Sequence, residues 1–474
     1  MPNFRLILIQ TFGLFCAKLS INFNPNLRFS KFRAKIIVVK GDDNMKNYIQ
    51  RLFDNELDFY LKSTGAILVV GPKWCGKSTT CKRHAETVID LLKSTTRAQY
   101  INLAKSSPET LLNIGTKPIL IDEWQIISFI WNNLKDEVDT NGDFGQYILT
   151  GSVTDKTSSD EMQGSEGERH TGTGRIVKKM MRTLSLYESG DSNGSVSISD
   201  LKNGIFKASI SNKTISDYAF LICRGGWPLA IGVEPEIALQ QSKNYYNGLI
   251  TEDIFSIKDL PLRKDEQRAR KLLRSYARFV SSEASNESIK SDLSQNGDLI
   301  DKETFTKYLL VLQRLYVIEE LEAWNPNLRS KTSIREKNTR HFVDPSIATA
   351  ALGVGPSGLF NDMNTFGLLF ESLAIRDLRI YCDTLNAHVY HYRDKLEREA
   401  DAVIQFEDGN WALIEVKLGD SEDIDIAAKK LINLANDIDI EKKKPSFLMI
   451  ITKDKVAYQR EDGVYVVPLA CLKN

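Results

Sequence analysis

The sequence lacks the features that mark secreted, zinc-binding or strongly charged proteins. Its six cysteines are scattered along 474 residues and include no CxxC pair, which favours reduced thiols over a disulfide framework or a zinc site. Lysine plus arginine and aspartate plus glutamate both number 62, so no net charge draws the whole chain to nucleic acid or to a membrane. Any such affinity must come from a local patch. We therefore expect a cytoplasmic protein.

No stretch of the sequence is long and apolar enough to cross a membrane, so we expect no membrane partner. The first 44 residues stand apart, because they combine an apolar run interrupted by Gln10 with a later segment that carries basic and no acidic residues. Two interpretations stay open: a targeting segment, or a start codon assigned too early. We favour Met45 as the start, since nothing downstream is typical of a secreted protein.

A glycine-rich loop carries the most specific motif of the chain. The buried-strand pattern of residues 66–70 leads into GPKWCGKST, and a helical pattern follows from Lys77. This is the context that GxxxxGK[ST] requires, because its glycines let successive backbone N–H groups face a phosphate. Lys77 would reach the terminal phosphates of ATP, and the Ser78 hydroxyl would bind Mg²⁺. The predicted ATP-binding residues are Gly71, Pro72, Lys73, Trp74, Cys75, Gly76, Lys77, Ser78 and Thr79.

Two further strand ends supply polar groups for the same site. The apolar pattern of residues 119–121 ends in Asp122 and Glu123. We predict that Asp122 holds the magnesium shell and that Glu123 polarises the attacking water. The strand pattern around residue 148 ends in Thr150, which we predict to sense the γ-phosphate. A turn or capping hydroxyl is the alternative interpretation of Thr150.

Five segments together resemble one family of P-loop proteins. They are GPKWCGKST, ILIDEWQ, ILTGS, RHTGTGRI and RTLSLYESGDSNGSVS. The set resembles the AAA+-type ATPases of bacteria and archaea in which a C-terminal domain of unknown function with nuclease-like features follows the ATPase domain. The resemblance implies an additional-strand P-loop fold. It also marks Arg175 and Arg182 as catalytic arginines that would stabilise transition-state charge, in cis or from a neighbouring subunit of a homo-oligomer. A surface ion pair is the alternative for each arginine.

The middle of the chain has the pattern of a winged helix. Residues 266–282 and 288–295 read as two helices, and the segment from residue 301 reads as a longer third helix that runs into a strand. A basic segment without hydrophobic period follows, as a wing would. This order indicates a helix-turn-helix variant with DNA or another nucleic acid as partner. A plain spacer or a protein contact is the alternative.

The C-terminal part places carboxylates and a lysine on neighbouring predicted elements. Asp401 opens one strand, and Glu415 and Lys417 share one face of the next because strand side chains alternate. We predict that Asp401 and Glu415 bind Mg²⁺, that Glu371 supports a second ion from a helix, and that Lys417 orients the attacking water. The arrangement resembles the PD-(D/E)xK nuclease fold. It departs from that pattern at Ala400, where the pattern has proline.

The sequence thus predicts an α/β protein in four parts. They are an N-terminal extension (1–44), a P-loop AAA+-type ATPase domain with a lid (45–260), a winged-helix-like domain (261–350) and a restriction-endonuclease-like domain (351–474). The leading hypothesis is Mg-ATP hydrolysis that drives a conformational change in a nucleic-acid-binding or nuclease-like module. Two alternatives stay open: an ATP-gated magnesium-dependent nuclease, and a nucleotide-dependent protein-binding switch with a vestigial nuclease site.

Overall fold

The computed structural model describes residues 48–151, 174–257, 260, 262–325, 337–438 and 444–474. The predicted N-terminal extension, residues 1–44, therefore lies outside the described residues. Within the described ranges, no helix combines the length and the apolar character that a membrane crossing requires.

The first region is built around a parallel sheet. Its elements are α1 (Leu52–Leu61), β1 (Ala66–Val70), α2 (Lys77–Arg83), β2 (Thr87–Asp90), α3 (Ser94–Ser106), α4 (Pro108–Leu112), β3 (Ile119–Asp122), a 3₁₀ helix (Trp124–Ile130), α5 (Trp131–Asn141), β4 (Tyr147–Gly151) and β5 (Ile176–Met180). The strand order is β2-β3-β4-β1-β5, and all neighbouring pairs are parallel. Strands β1, β3 and β4 are buried along their whole length, as continuous apolar runs in a parallel sheet predict.

This strand order decides where the predicted site residues meet. Strand β4 lies between β1 and β3, so the carboxyl ends of these three strands are neighbours. The glycine-rich loop follows β1, Asp122 ends β3, and Thr150 lies near the end of β4. Because the carboxyl ends of parallel strands share one edge, the sheet brings the three segments together.

A mostly helical region follows. Its elements are β6 (Val196–Ser197), α6 (Ile198–Lys202), β7 (Ser209–Ile210), α7 (Ile215–Arg224), α8 (Pro235–Thr251), α9 (Glu266–Arg278), α10 (Asn286–Gln295), α11 (Lys302–Arg314), α12 (Pro345–Leu352) and α13 (Pro356–Leu359), with short 3₁₀ turns at Pro228–Ala230 and Asp253–Phe255. Helices α9, α10 and α11 match the three helices expected of a winged helix. Antiparallel bridges Ile318↔Phe342 and Leu321↔Thr339 flank the basic segment, of which residues 326–336 lie outside the described residues. The winged-helix assignment stays a prediction.

The last region completes a second sheet. Its elements are α14 (Met363–Asp383), β8 (Ala387–Arg393), β9 (Glu399–Phe406), β10 (Trp411–Lys417), α15 (Ser421–Asp437), β11 (Phe447–Thr452), β12 (Val456–Gln459), β13 (Tyr465–Pro468), a 3₁₀ turn (Leu469–Cys471) and β14 (Leu472–Lys473). The strand order is β7-β12-β13-β11-β10-β9-β8. Strands β8, β9 and β10 form an antiparallel meander, and α15 crosses over to β11, which is parallel to β10.

The hydrophobic core does not divide at the predicted boundaries of 260/261 and 350/351. One continuous cluster of buried side chains runs from Leu186 to Leu472, and it includes Trp227 of the predicted lid and Phe370 of α14. The parallel sheet has cores of its own on its two faces. The apolar faces of α7 and α8 are therefore buried with the C-terminal region, whereas Tyr316, after α11, packs into the core of the parallel sheet. The four-part division stays a prediction.

Candidate nucleotide site

The loop between β1 and α2 requires its two glycines. Gly71 has φ of 144° and Gly76 has φ of 104°, both in the left-handed region that side chains with a Cβ avoid. A Cβ on Gly71 would lie 2.1 Å from the backbone oxygen of Met181, which follows β5. The loop therefore keeps its curled course only with glycine at this position, and its backbone passes close to the neighbouring strand.

Lys77 begins α2 and points back over the loop. Its side chain is buried, and its Nζ donates hydrogen bonds to the backbone oxygens of Gly71 at 2.9 Å and Pro72 at 2.8 Å. The ammonium group is thus held at the concave side of the loop, beside the start of a helix whose N–H groups are free to bind an anion. This is the place where a phosphate-binding lysine is expected.

Three predicted residues from three separate segments meet at Asp122. The Ser78 hydroxyl donates to Asp122 Oδ1 at 2.7 Å, and the Thr150 hydroxyl donates to the same oxygen at 2.5 Å. Asp122 is only 2% exposed, so its charge is held by these hydroxyls and by Lys82, whose Nζ lies 3.4 Å from Oδ2. A serine hydroxyl and a carboxylate side by side are the hard oxygen donors that Mg²⁺ prefers.

Glu123 follows Asp122 in a left-handed conformation, with φ of 60°. Its backbone N–H donates to the Thr150 hydroxyl at 3.2 Å, and its Oε2 accepts from Gln125 Nε2 at 2.6 Å. A non-glycine residue in this region costs about 1–3 kcal/mol and persists where the surroundings hold it. Here the bond to Thr150 holds the turn, so Glu123 and Thr150 are positioned by each other.

The remaining loop residues have different surroundings. Lys73 Nζ forms an ion pair with Asp253 at 2.5 Å, and the ring of Trp74 packs edge-on against Tyr245 of α8. Cys75 is fully buried, with its thiol 3.3 Å from the Met181 backbone oxygen. Pro72 is buried and Thr79 is exposed. Lys73 and Trp74 thus connect the loop to the helical region and carry no contact with Lys77.

The two predicted catalytic arginines do not reach the loop. Arg175 stands just before β5, whose first residue Ile176 pairs with Ala66 at the start of β1, so Arg175 lies at the edge of the sheet opposite the loop. At ~3.3 Å per residue, a five-residue strand separates the two by about 16 Å. Arg175 forms a surface ion pair with Asp139 at 2.5 Å, which is the alternative considered above. The structure thus does not support a cis role for it.

Arg182 is placed closer, but its side chain points away from the nucleotide site. Its guanidinium pairs with Glu319 at 2.9 Å and with Asp383 of α14. Burial raises the pKa of Asp383 above its usual range, whereas the pKa of Glu319 falls to about 2 because Arg182 and Arg379 outweigh the burial. Arg182 is therefore an internal link between the regions in this structure, not a catalytic arginine in cis.

The C-terminal carboxylates Asp401 and Glu415 lie near the same lysine, Lys417, but they do not form a complete metal site. Glu415 is fully buried; its Oε1 accepts from Lys417 at 2.8 Å and from Lys430 of α15 at 2.9 Å, while its Oε2 has no hydrogen-bond partner. Asp401 Oδ2 accepts the backbone N–H of Val416 at 2.7 Å and lies 3.9 Å from Lys417 Nζ.

The third carboxylate, Glu371 of α14, interacts electrostatically with the other two. Burial raises the pKa of Glu371 well above its usual range, and the charges of Asp401 and Glu415 add to the rise. Burial and Glu415 also raise the pKa of Asp401 to about 7. Yet no group of three His, Cys, Asp or Glu side chains in the described ranges has the arrangement of a metal site. The predicted ligand set of Glu371, Asp401 and Glu415 is thus not assembled in this structure.

Comparisons with known proteins agree with the geometry of the first region. Residues 63–189 match the family model of the AAA domain. This part of the chain is therefore similar to AAA domains. Residues 215–358 match a domain of unknown function, DUF8612, and residues 366–472 match another, DUF4143. No curated protein matches the chain at a significant level.

Among solved structures, similar chains include the Walker-type ATPase of Pyrococcus abyssi, with a TM-score of 0.39 and 15% identity over 65% of this chain and 99% of that one. The replication initiator DnaA bound to AMPPCP and single-stranded DNA has a TM-score of 0.22 and 13% identity, over 55% of this chain and 86% of that one. The Drosophila ORC bound to DNA has a TM-score of 0.19 and 9% identity, over 73% and 99%.

Sequence reasoning missed two cations beside the AAA-type loop. Lys82 lies one helical turn after Ser78, so its spacing on α2 was a usable signal. Although burial lowers the pKa of Lys82, the neighbouring Asp122 and Asp90 raise it above its usual value. Arg51 stands just before α1 and is 4% exposed. A lone arginine ahead of an amphipathic helix carries no motif, and only the tertiary structure reveals its contacts.

Proposed function

We propose that this protein binds Mg-ATP at Gly71–Ser78 and hydrolyses it. The observation that carries the proposal is the meeting of Ser78, Asp122 and Thr150 within hydrogen-bond distance, directly beside a loop whose lysine is already held over its concave side. The sheet edge places the three segments side by side, but it does not dictate that two of them supply hydroxyls that donate to one buried carboxylate. Nucleotide chemistry explains all three at once.

The roles of the residues follow from their places. Backbone N–H groups of the loop and Lys77 bind the phosphates, and Ser78 and Asp122 are the oxygen donors for Mg²⁺. A Mg²⁺ ion held by these oxygens would neutralise the charge that develops on the phosphate oxygens. Thr150 holds Asp122 and the Glu123 backbone, so it links the metal side of the site to the residue that we assign as the water-orienting base.

Phosphate release by the purified full-length chain tests this proposal. We expect Mg²⁺-dependent turnover in the wild type and a loss of ~10²–10⁴-fold in Glu123→Gln, with ATP binding retained because the loop and Lys77 are unchanged. Glu137→Gln is the matched control, since Glu137 of α5 accepts hydrogen bonds from Asn113 and Asn141 and has no part in the loop. A wild type without affinity for ATP would remove the proposal.

We further propose that nucleotide turnover is coupled to the C-terminal module. The segment after β5 bonds to that module at two points: Arg182 pairs with Asp383 of α14, and the Leu186 N–H donates to Asp377 at 2.9 Å. Between them, Thr183 donates to Asp344, which precedes α12, at 2.7 Å. Helix α14 also carries Glu371, so a shift of this segment would reach the carboxylate cluster through one rigid helix.

A second candidate function is metal-dependent cleavage of a nucleic acid by the C-terminal module. Its support is the order helix, three-stranded meander, helix and parallel strand, which resembles the PD-(D/E)xK nucleases, together with a buried Glu415 oxygen that has no hydrogen-bond partner. Such an orphaned carboxylate oxygen fits a cation ligand. Short DNA and RNA duplexes and single strands incubated with Mg²⁺ or Mn²⁺ test it, with Asp401→Asn as the inactive variant. Cleavage that persists unchanged in Asp401→Asn would exclude this site.

Nucleic-acid binding by residues 261–350 is a separate part of the proposal. Its support is the set of helices α9, α10 and α11 followed by a basic segment. Binding through phosphates must weaken steeply with salt, because counterions are released. Absence of duplex binding at low salt would favour the protein-binding alternative.

A further inference from the structure

We infer that Arg51 is a positioning residue of the nucleotide site, which fixes the peptide between Cys75 and Gly76 so that the Gly76 N–H is presented to phosphate. The inference rests on the ATP site proposed above and deepens it. Arg51 lies outside the glycine-rich motif, 25 residues before Gly76, and enters the site only through the tertiary structure.

The guanidinium of Arg51 donates four hydrogen bonds. Its Nη1 donates to the Cys75 backbone oxygen at 2.8 Å, and its Nη2 donates to the backbone oxygens of Arg182 at 2.8 Å and Thr183 at 3.2 Å. Its Nε donates to Glu188 Oε1 at 3.0 Å. A planar fork that serves acceptors in three directions is specific to arginine, and lysine cannot replace it in all of them.

The bond to Cys75 determines the direction of the next amide. The peptide between Cys75 and Gly76 is trans, since the cis bond found in the described ranges is Lys117–Pro118. In a trans peptide, the C=O and the following N–H point in opposite directions. With the Cys75 oxygen held by Arg51, the Gly76 N–H points away from Arg51. Phosphate-binding loops work by presenting successive N–H groups to one anion, so this orientation must be kept when phosphate leaves.

The loop has little else to hold this peptide. Gly76 has φ of 104° and no side chain, so its backbone is freer than that of any other residue type. The Cys75 thiol contacts the Met181 oxygen, but that contact restrains the side chain and leaves the carbonyl to Arg51. Arg51 therefore orders this peptide before nucleotide binds, which reduces the conformational entropy that binding would otherwise remove.

A purely structural role for the buried Arg51–Glu188 pair is the competing explanation, and the chain offers a matched control. Arg224 is 6% exposed; it pairs with Asp191 at 2.8 Å and donates to the Gly225 backbone oxygen at 3.0 Å. It thus has the same kinds of partner as Arg51, a carboxylate and a backbone carbonyl, but it does not contact the loop. Loss of Arg51 removes the cation paired with the buried Glu188, and loss of Arg224 removes one of the two cations at Asp191, the other being Lys213 at 2.9 Å, so both variants should lose stability.

The experiment compares Arg51→Met, Arg51→Lys and Arg224→Met in the full-length chain. Dissociation constants of fluorescent ATP and ADP analogues, kcat and KM for ATP, and thermal melting without ligand are measured for each. We expect Arg51→Met to bind both nucleotides at least ~10-fold more weakly than Arg224→Met at a similar loss of thermal stability. Arg51→Lys should lie between Arg51→Met and the wild type, because its single ammonium nitrogen keeps the charge but cannot reach acceptors in all three directions.

Each outcome decides one point. Equal nucleotide affinity in Arg51→Met and Arg224→Met would overturn the inference and leave the ATP site standing. A wild type that binds no nucleotide would remove the proposed function itself. If Arg51→Met does not fold, Arg51→Lys carries the test, since it keeps the charge next to Glu188: wild-type affinity in a folded Arg51→Lys would count against the positioning role.

Discussion

The candidate nucleotide site and the C-terminal carboxylate cluster differ in how the charges of their buried carboxylates are compensated. Asp122 in the first site accepts from two hydroxyls and faces Lys82, so its negative charge is matched. In the second, burial and the charge of Glu415 raise the pKa of Asp401, and burial and the charges of Asp401 and Glu415 raise the pKa of Glu371. One buried oxygen of Glu415 has no hydrogen-bond partner. The first site is preorganised by neutral donors and one cation, whereas the second concentrates charge that a bound cation would relieve.

The difference has a topological reason. Ser78, Asp122 and Thr150 follow neighbouring parallel strands, and the shared sheet edge fixes their distances. Glu371 comes from helix α14, while Asp401 and Glu415 come from the antiparallel strands β9 and β10, so helix packing enters the geometry. A site that depends on packing between layers is free to adjust when a ligand binds. The following substitutions test this contrast, from the largest expected effect to the smallest.

Lys77→Ala should affect the first site most. Lys77 is the buried cation of the loop, so ATP turnover should fall by about 10³-fold and binding should weaken with it. Lys73→Ala is the control, because Lys73 lies in the same loop but pairs with Asp253. Phosphate release and nucleotide titration measure both. Similar losses in the two variants would mean that the loop responds to any lost charge.

Asp122→Asn should remove the magnesium dependence of turnover and reduce its rate by about 10²-fold, because the metal loses its carboxylate. Asp90→Asn is matched to it: Asp90 ends the neighbouring strand β2 and also pairs with Lys82, whereas Ser78 and Thr150 donate to Asp122. Activity titrated against Mg²⁺ separates the two. Retained magnesium dependence in Asp122→Asn would contradict the assignment.

Thr150→Val keeps the shape of the side chain and removes its hydroxyl. It leaves Asp122 one donor short and frees the Glu123 backbone N–H, so we expect kcat to fall by roughly 10-fold, the equivalent of one hydrogen bond, with little change in nucleotide affinity. Thr80→Val is the control. Thr80 lies on α2, and its hydroxyl forms a hydrogen bond with that of Tyr48. An equal loss in both variants would count against a role of Thr150 in the chemical step.

Asp401→Asn should stabilise the C-terminal module in metal-free buffer. A carboxylate whose pKa is about 7 in the folded protein, against an ordinary value near 4, loses folded-state stability as pH rises through this range. The uncharged variant avoids that loss, so its melting temperature should exceed that of the wild type at pH 8 by the equivalent of about 1 kcal/mol, and the difference should disappear near pH 4.

Asp394→Asn should change the melting temperature at pH 8 in the opposite direction. Hydrogen bonds and the charge of Arg398 outweigh burial and hold the pKa of Asp394 below its usual range, so its charged form stabilises the fold above that range. This variant should melt lower than the wild type at pH 8. Thermal melting at pH 4 and pH 8 in the presence of a chelator measures both. A destabilised Asp401→Asn at pH 8 would show that the cluster is not strained by its charges.

The meeting of Ser78, Asp122 and Thr150 was largely predictable from the sequence. The ion pairs between distant segments were not. GxxxxGK[ST] and the strand ending at Asp122 are local patterns whose spacing encodes the chemistry, and the structure brings Ser78, Asp122 and Thr150 together. The roles of Arg175 and Arg182 came from resemblance alone. Their ion pairs with Asp139 and Asp383 are contacts between distant segments, to which a single sequence gives no guide.

The predicted boundary near residue 260 shows that packing partners, too, could not be predicted from the sequence. The helical patterns of α7, α8 and α9 are legible in the sequence, but an apolar face does not state which partner will cover it. In the structure Trp227 stacks on Tyr245 and joins the same core as Phe370 of α14, across the predicted boundary.

The sequence by itself determined the loop, its lysine, the strand-end acid and the alternation that pairs Glu415 with Lys417, because these depend on spacing along one or two elements. The tertiary structure alone decided which arginine serves the loop, since Arg51 reaches Cys75 only after α1 has packed beside β5. It also decided which charges are matched. A charge is matched by whatever lies near it in space, and nearness in space is a property of the folded chain.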